Sequence, residues 1–106
     1  MTLSTHVLNA GTGRPAAGVA VLLEQAAPWQ RVEEDRTGAD GRLRFAATLE
    51  PGGYRITFAT GPYFAALGTQ TFYPEVTVTF AVTSGTEHYH VPLLLSPFAY
   101  STYRGS

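Results

Sequence analysis

Apolar and polar residues alternate with a period of two along much of this chain, in short runs separated by glycine and proline. A period of two puts successive side chains on opposite faces of an extended strand, so each run predicts a strand with one buried and one wet face. The clearest run covers 76–83, where Val76, Val78, Phe80 and Val82 alternate with Thr77, Thr79, Ala81 and Thr83. Further runs lie at 4–9, at 19–25 and, more polar, at 29–33. Residues 42–46 set Leu43 and Phe45 opposite Arg42 and Arg44, and 54–60 puts Tyr54, Ile56 and Phe58 on one side. The last two strands are predicted at 88–95 and 98–104. Turn signals separate them: Ala10-Gly11-Thr12-Gly13, Asp40-Gly41, Pro51-Gly52-Gly53, Gly61-Pro62, Ser84-Gly85 and Ser96-Pro97. Asp40-Gly41 is a hairpin signal, because glycine accepts positive φ. Only 63–67 reads as helix, a turn or two long. About eight short strands at this spacing predict an all-β sandwich.

The chain has 106 residues, enough for one core but not two, so residues 1–106 are expected to form a single domain. With 44% hydrophobic and 14% charged residues, it reads as folded rather than disordered. There is no cysteine, which excludes a disulfide framework, a thiolate metal site and a cysteine nucleophile. All seven basic residues are arginine, so Schiff-base and lysine general-base chemistry are excluded too. A net charge of −1 gives no reason to expect a nucleic-acid partner. No apolar stretch approaches the roughly 20 residues of a membrane helix, and no signal segment is evident. A cytoplasmic location without membrane association is therefore expected. No glycine-rich phosphate loop links a strand to a helix, so P-loop or Rossmann nucleotide binding is not supported.

The side chains left for chemistry are three histidines, seven arginines, eight carboxylates and hydroxyls. His88 and His90 point to one face of their strand, with Tyr89 and Val91 turned the other way, into the core. His6 shares a face with Ser4 and Leu8. An imidazole can act as acid or base near neutral pH. Three surface or interface histidines, or a three-histidine zinc site, are alternative readings, although H-x-H spacing alone is weak evidence for metal. Arg42 opens its strand directly after Asp40-Gly41. It is either a solvated edge residue or a fixed guanidinium for a planar anion. The chain ends on Tyr100-Ser101-Thr102-Tyr103-Arg104-Gly105-Ser106, a composition that predicts an ordered tail. Phe98, Tyr100 and Tyr103 also suit a subunit interface, where Tyr and Arg are enriched.

These segments together resemble one family. Ser4-Thr5-His6-Val7-Leu8-Asn9, Thr12-Gly13-Arg14-Pro15-Ala16 and Thr37 through Arg42 are similar to the opening of transthyretin-related proteins. Phe72-Tyr73-Pro74-Glu75-Val76 and His88 through Pro97 resemble its later signatures. The terminal Tyr103-Arg104-Gly105-Ser106 resembles the tetrapeptide of the 5-hydroxyisourate hydrolases within that superfamily. The resemblance implies a transthyretin-like sandwich of two four-stranded sheets with one short helix, assembled as a homotetramer, a dimer of dimers. It implies that the first, fourth, seventh and eighth strands share a sheet and that the 76–82 run belongs to the other. His6, Arg42 and His90 match the family's catalytic positions on strands lining a channel between dimers, and Tyr103 and Ser106 of the terminal motif are implied to be catalytic as well, with Ser106 at the channel mouth. Arg104 and Gly105 complete the substrate-binding motif.

The reaction so implied is hydrolysis of the N1–C6 amide of 5-hydroxyisourate to 2-oxo-4-hydroxy-4-carboxy-5-ureidoimidazoline, a step of purine degradation. One of His6 and His90 would activate water while the other orients substrate or relays the proton, and Arg42 would stabilise the oxyanion. No cofactor and no metal are implied. Two rivals belong to other classes. One is a non-catalytic small-molecule carrier of the transthyretin type, which uses the same channel. The other is a generic β-sandwich adhesion or carbohydrate-binding module.

Overall fold

The computed structural model describes residues 2–83 and 87–105. The Ser84-Gly85 turn and the candidate Ser106 lie outside the described residues. The elements in chain order are β1 Thr2–Asn9, β2 Arg14–Pro15, β3 Ala20–Gln25, β4 Gln30–Arg36, β5 Arg42–Arg44, β6 Gly52–Phe58, α1 Thr60–Ala66, β7 Val76–Val82, β8 His88–Ser96 and β9 Ala99–Thr102.

Two sheets face each other. One runs β2-β1-β8-β9 with β5 also on β1, and the other runs β4-β3-β6-β7. Strands β5 and β2 share one edge of β1. The first pairs with Ser4, Thr5 and His6, the second with Leu8 and Asn9, so the first sheet has five strands but is at most four strands wide at any level. The first, fourth, seventh and eighth predicted strands thus share a sheet, and Val76–Val82 lies in the other. Leu3, Val7, Leu93 and Leu95 meet Val21, Leu23, Tyr54, Ile56 and Phe58 between the layers, each at most 1% exposed. Burying one such side chain is worth about 1.5–3 kcal/mol, which fixes the face each strand turns outward.

Several boundaries differ from the sequence reading. The helix begins at Thr60 rather than 63, because Pro62 lies in its first turn, where a backbone N–H has no partner to lose. Asp40-Gly41 is not a hairpin within one sheet; it carries the chain from β4 in one sheet to β5 in the other. Gly41 does adopt φ +76°. A Cβ there would also collide with the Val7 carbonyl, while Val7 N–H donates to Gly41 C=O at 2.7 Å. The last strand ends at Thr102, not 104. The register explains why: Thr102 pairs with Leu93, which puts Tyr103 opposite Pro92. The Pro92 carbonyl faces β9, accepting from Thr102 Oγ1 at 2.7 Å, so its missing N–H falls on that side. The ladder lapses there and resumes in the same register at Gly105, opposite His90.

Candidate active site

The outward residues of the first sheet collect the candidate chemistry. On β1 the buried residues Leu3, Thr5, Val7 and Asn9 alternate with Thr2, Ser4, His6 and Leu8 facing out. β8 runs parallel to β1, with Thr2 beside His88 and Ser4 beside His90. β5 runs antiparallel on the other side, with Ser4 beside Arg44 and His6 beside Arg42. Directly opposed side chains in a ladder lie about 5 Å apart at Cβ. Three strands thereby bring His6, Arg42, His88 and His90 onto one face, while Tyr89, Val91 and Leu43 point inward.

Hydrogen bonds order this face. Thr2 Oγ1 bonds His88 Nδ1 at 2.5 Å, and Ser4 Oγ bonds both His88 Nε2 and His90 Nδ1 at 2.8 Å. Among the described residues, His90 Nε2 has no hydrogen-bond partner. His6 Nε2–H donates to the Asp40 carbonyl at 3.0 Å, which fixes its tautomer and leaves Nδ1 for a ligand. The Asp40 carboxylate accepts from the Arg42 backbone N–H at 3.0 Å and lies 3.9 Å from Arg42 Nε. The Arg42 guanidinium is thus oriented by a loose pair and stays exposed. Desolvation pushes His90 below the ordinary imidazole value; a hydrogen bond at Ser4 opposes this, and the nearby His6, His88 and Arg42 charges add to the lowering. His90 is accordingly neutral at pH 7 and able to accept a proton.

The tail reaches this site by one contact. Gly105 N–H donates to the His90 carbonyl at 2.8 Å, and a Cβ at Gly105 would lie 2.5 Å from His90 Cδ2. The close approach is possible only for glycine. Arg104 does not join the imidazoles: it pairs with Glu87 at 2.7 Å and lies over the Tyr89 ring, 4.6 Å from its centroid. Tyr103 is 58% exposed and borders a cleft of about 320 Å³ between the tail and β7, lined also by Val78, Phe80 and Val91.

Among the predicted site residues, the fold therefore brings His6, Arg42, His90 and Gly105 together. It sets Tyr103 at the border and turns Arg104 aside. Sequence reasoning gave Asp40 only a turn and Ser4 only a face. Asp40 organises both His6 and Arg42, and Ser4 bridges two imidazoles. The signal for Ser4 was its shared parity with His6; what was missing was the register against β8. Among the described residues, no three His, Cys, Asp or Glu side chains form a metal-ligating group. The arrangement offers a neutral imidazole, a second imidazole of fixed tautomer and an exposed guanidinium. That set suits attack of water on a polarised carbonyl in a small planar molecule.

Residues 3–105 match the family model described as the HIUase/Transthyretin family. A 5-hydroxyisourate hydrolase of Salmonella typhimurium is 47% identical over 109 residues, covering 98% of this chain and 80% of that one. A solved 5-hydroxyisourate hydrolase of Klebsiella pneumoniae is 39% identical, covers 100% of both chains and superposes with a TM-score of 0.91. Transthyretin from Sparus aurata, 33% identical over 97% of this chain and 95% of its own, also superposes at 0.91.

Proposed function

The chain belongs to the HIUase/Transthyretin family, and from that membership and the chemistry of its outer face we propose that it hydrolyses 5-hydroxyisourate. Backbone similarity cannot separate this from the carrier reading, since a hydrolase and a transthyretin superpose on it equally well. The observation that carries the proposal is the cross-strand set of His6, Arg42 and His90, with a neutral imidazole beside a guanidinium. A carrier of an apolar ligand has no use for such a set.

In this reading the ring lies against β1, β5 and β8. His90 Nε2 takes a proton from water as its oxygen bonds to C6, and Arg42 donates to the developing oxyanion. A positioned base of this kind is worth about 10²–10⁴-fold. His6, held by Asp40, orients the ring through Nδ1. Tyr103 closes the site. Gly105 seats the tail against the His90 ring, and Arg104 pins the tail to Glu87 instead of touching substrate. The test is direct: generate 5-hydroxyisourate with urate oxidase, add the protein and follow the ultraviolet decay. Decay well above the spontaneous rate supports the reading, and an unchanged rate overturns it.

We also propose one domain acting in the cytoplasm as a homotetramer, a dimer of dimers. Among the described residues, β7 and β9 each keep one edge unpaired, and both border the same cleft. Exposed Phe72, Phe98, Tyr100 and Tyr103 supply apolar area for subunit contact. Sedimentation at four times the 11.4 kDa chain mass supports the tetramer, and a monomer overturns it. Cell fractionation tests the location; for membranes, no helix among the described residues is long and apolar enough to cross one.

A further inference from the structure

We propose that His88 and Ser4 form a proton relay that lets His90 act first as base and then as acid without holding a positive charge beside Arg42 and His6. This rests on the hydrolase reading. It starts from geometry that the reading leaves unused: a continuous hydrogen-bonded line from Thr2 Oγ1 through His88 and Ser4 Oγ to His90 Nδ1. Ser4 has one hydroxyl proton, so it donates to one imidazole and accepts from the other. The line therefore has two directions. In one, His90 Nδ1–H donates to Ser4, Ser4 donates to His88 Nε2, and His88 Nδ1–H donates to Thr2; His90 Nε2 is then bare. Reversing every bond leaves a proton on His90 Nε2 instead.

The two directions match the two halves of the reaction. In the first half, one water proton moves to His90 Nε2 as the C6–O bond forms. His90 Nδ1–H passes to Ser4, the Ser4 proton to His88 Nε2, and a proton leaves His88 Nδ1 for solvent. His90 ends neutral with Nε2–H. In the second half, Nε2–H goes to the ring nitrogen as the C6–N1 bond breaks, and a proton enters through His88 to restore the starting direction. The water's second proton ionises from the new carboxyl group. The relay runs out and then in, and so resets itself.

The surroundings favour this arrangement. Facing His90 are His6 on β1, Arg42 on β5 and His88 on its own strand, all basic groups, while the Asp40 carboxylate lies 3.9 Å from Arg42 Nε. On the tail, Arg104 is engaged by Glu87. A lasting imidazolium at His90 is thus opposed, whereas His88 is exposed. The parallel register of β1 and β8 supplies both hydroxyls at the required places, Thr2 beside His88 and Ser4 beside His90.

Ser4 and His88 touch no substrate atom here and act through His90. The test uses full-length His88→Phe, Ser4→Ala and Ser4→Thr. His88→Phe is expected to lower kcat by at least about tenfold at an unchanged KM. Added imidazole should restore most of it in His88→Phe but not in Ser4→Ala. Ser4→Thr keeps a hydroxyl and should keep kcat within a few-fold of the parent. Separately, ¹⁵N spectra of the substrate-free protein should show the His90 tautomer balance shifting in Ser4→Ala. Parent-like kcat in both His88→Phe and Ser4→Ala, or a loss in His88→Phe that imidazole does not relieve, overturns the relay. A wild-type protein that fails to hydrolyse 5-hydroxyisourate overturns the function instead, and the ¹⁵N shift distinguishes the two failures because it needs no turnover.

Discussion

The outer faces of the two sheets are built from similar parts and put to opposite use. On the second sheet two polar pairs are matched directly across the ladder. Glu24 lies beside Arg55 and bonds it at 2.8 Å, and Thr57 lies beside Thr77 with hydroxyls 3.2 Å apart. Trp29 covers the Arg55 guanidinium, 4.3 Å from the ring centroid. On the first sheet the ladder puts His6 beside Arg42, and Ser4 between His90 and Arg44. These neighbours cannot neutralise one another. A face whose charges are matched internally has nothing left to offer a ligand, whereas one with basic groups gathered and only loosely paired can bind an electron-rich molecule and stabilise a developing oxyanion.

The largest expected effects come from removing the unmatched groups. His90→Asn should lower kcat/KM for 5-hydroxyisourate by about 10²–10⁴-fold. Arg42→Gln should lower it by about 10²–10³-fold, the usual loss when an oxyanion donor is deleted. Both positions face outward on sheets whose core they do not enter, so circular dichroism and Tm should stay near the parent. Parent-like turnover in His90→Asn would transfer the base role to His6.

Gly105→Ala comes next. Its methyl group would overlap the His90 ring and push either the imidazole or the tail away. A displacement of about 1 Å near reacting atoms can cost up to about 10²-fold, so kcat should fall with little change in Tm. Unchanged kcat would show that the tail is not needed to seat His90.

Much of this was legible in the sequence because period-two alternation reports directly on which face each residue takes. It set His88 and His90 opposite Tyr89 and Val91, Arg42 opposite Leu43, and His6 on one face with Ser4, before any strand was paired; the resemblance supplied the grouping of His6, Arg42 and His90. Pairing is a property of distant segments, and alternation carries no information about it. The parallel match of β1 with β8 joins residues 86 apart in sequence, and it makes Ser4 a bridge rather than another outward hydroxyl. Asp40 was hidden for another reason. It works through its backbone carbonyl and its own carboxylate at once, and residue type alone does not disclose that. The early end of β9 follows from Pro92, visible in the sequence, but only once the register sets it opposite Tyr103.

The matched face should behave differently when one partner is lost. Glu24→Gln leaves the Arg55 guanidinium without its carboxylate, which has also been raising the Arg55 pKa. The pair is only partly exposed, so Tm should fall measurably, while kcat and KM should not move. A change in kcat would mean that the two faces communicate through the core, and the contrast between them would fail.

The smallest effect is the dependence of stability on pH. Burial holds His90 below its unfolded value near 6.5, so the unfolded chain binds the proton more tightly than the folded one. Above that unfolded value both states are neutral at this position and it adds no pH dependence. As pH falls below it, the unfolded state is protonated first and stability declines, until the folded-state pKa is passed and the slope at this position vanishes. Between pH 7.5 and about 4.5 the Tm of the parent should therefore fall relative to that of His90→Gln as the pH drops. The acid limb of kcat/KM should likewise have its midpoint below 6.5, as a base with a lowered pKa requires. The second sheet has no histidine, so Glu24→Gln should melt parallel to the parent across the upper half of that range. Parallel melts for His90→Gln as well would mean that its imidazole is as well hydrated in the folded chain as in the unfolded one, and the first sheet would lose its claim to a neutral base.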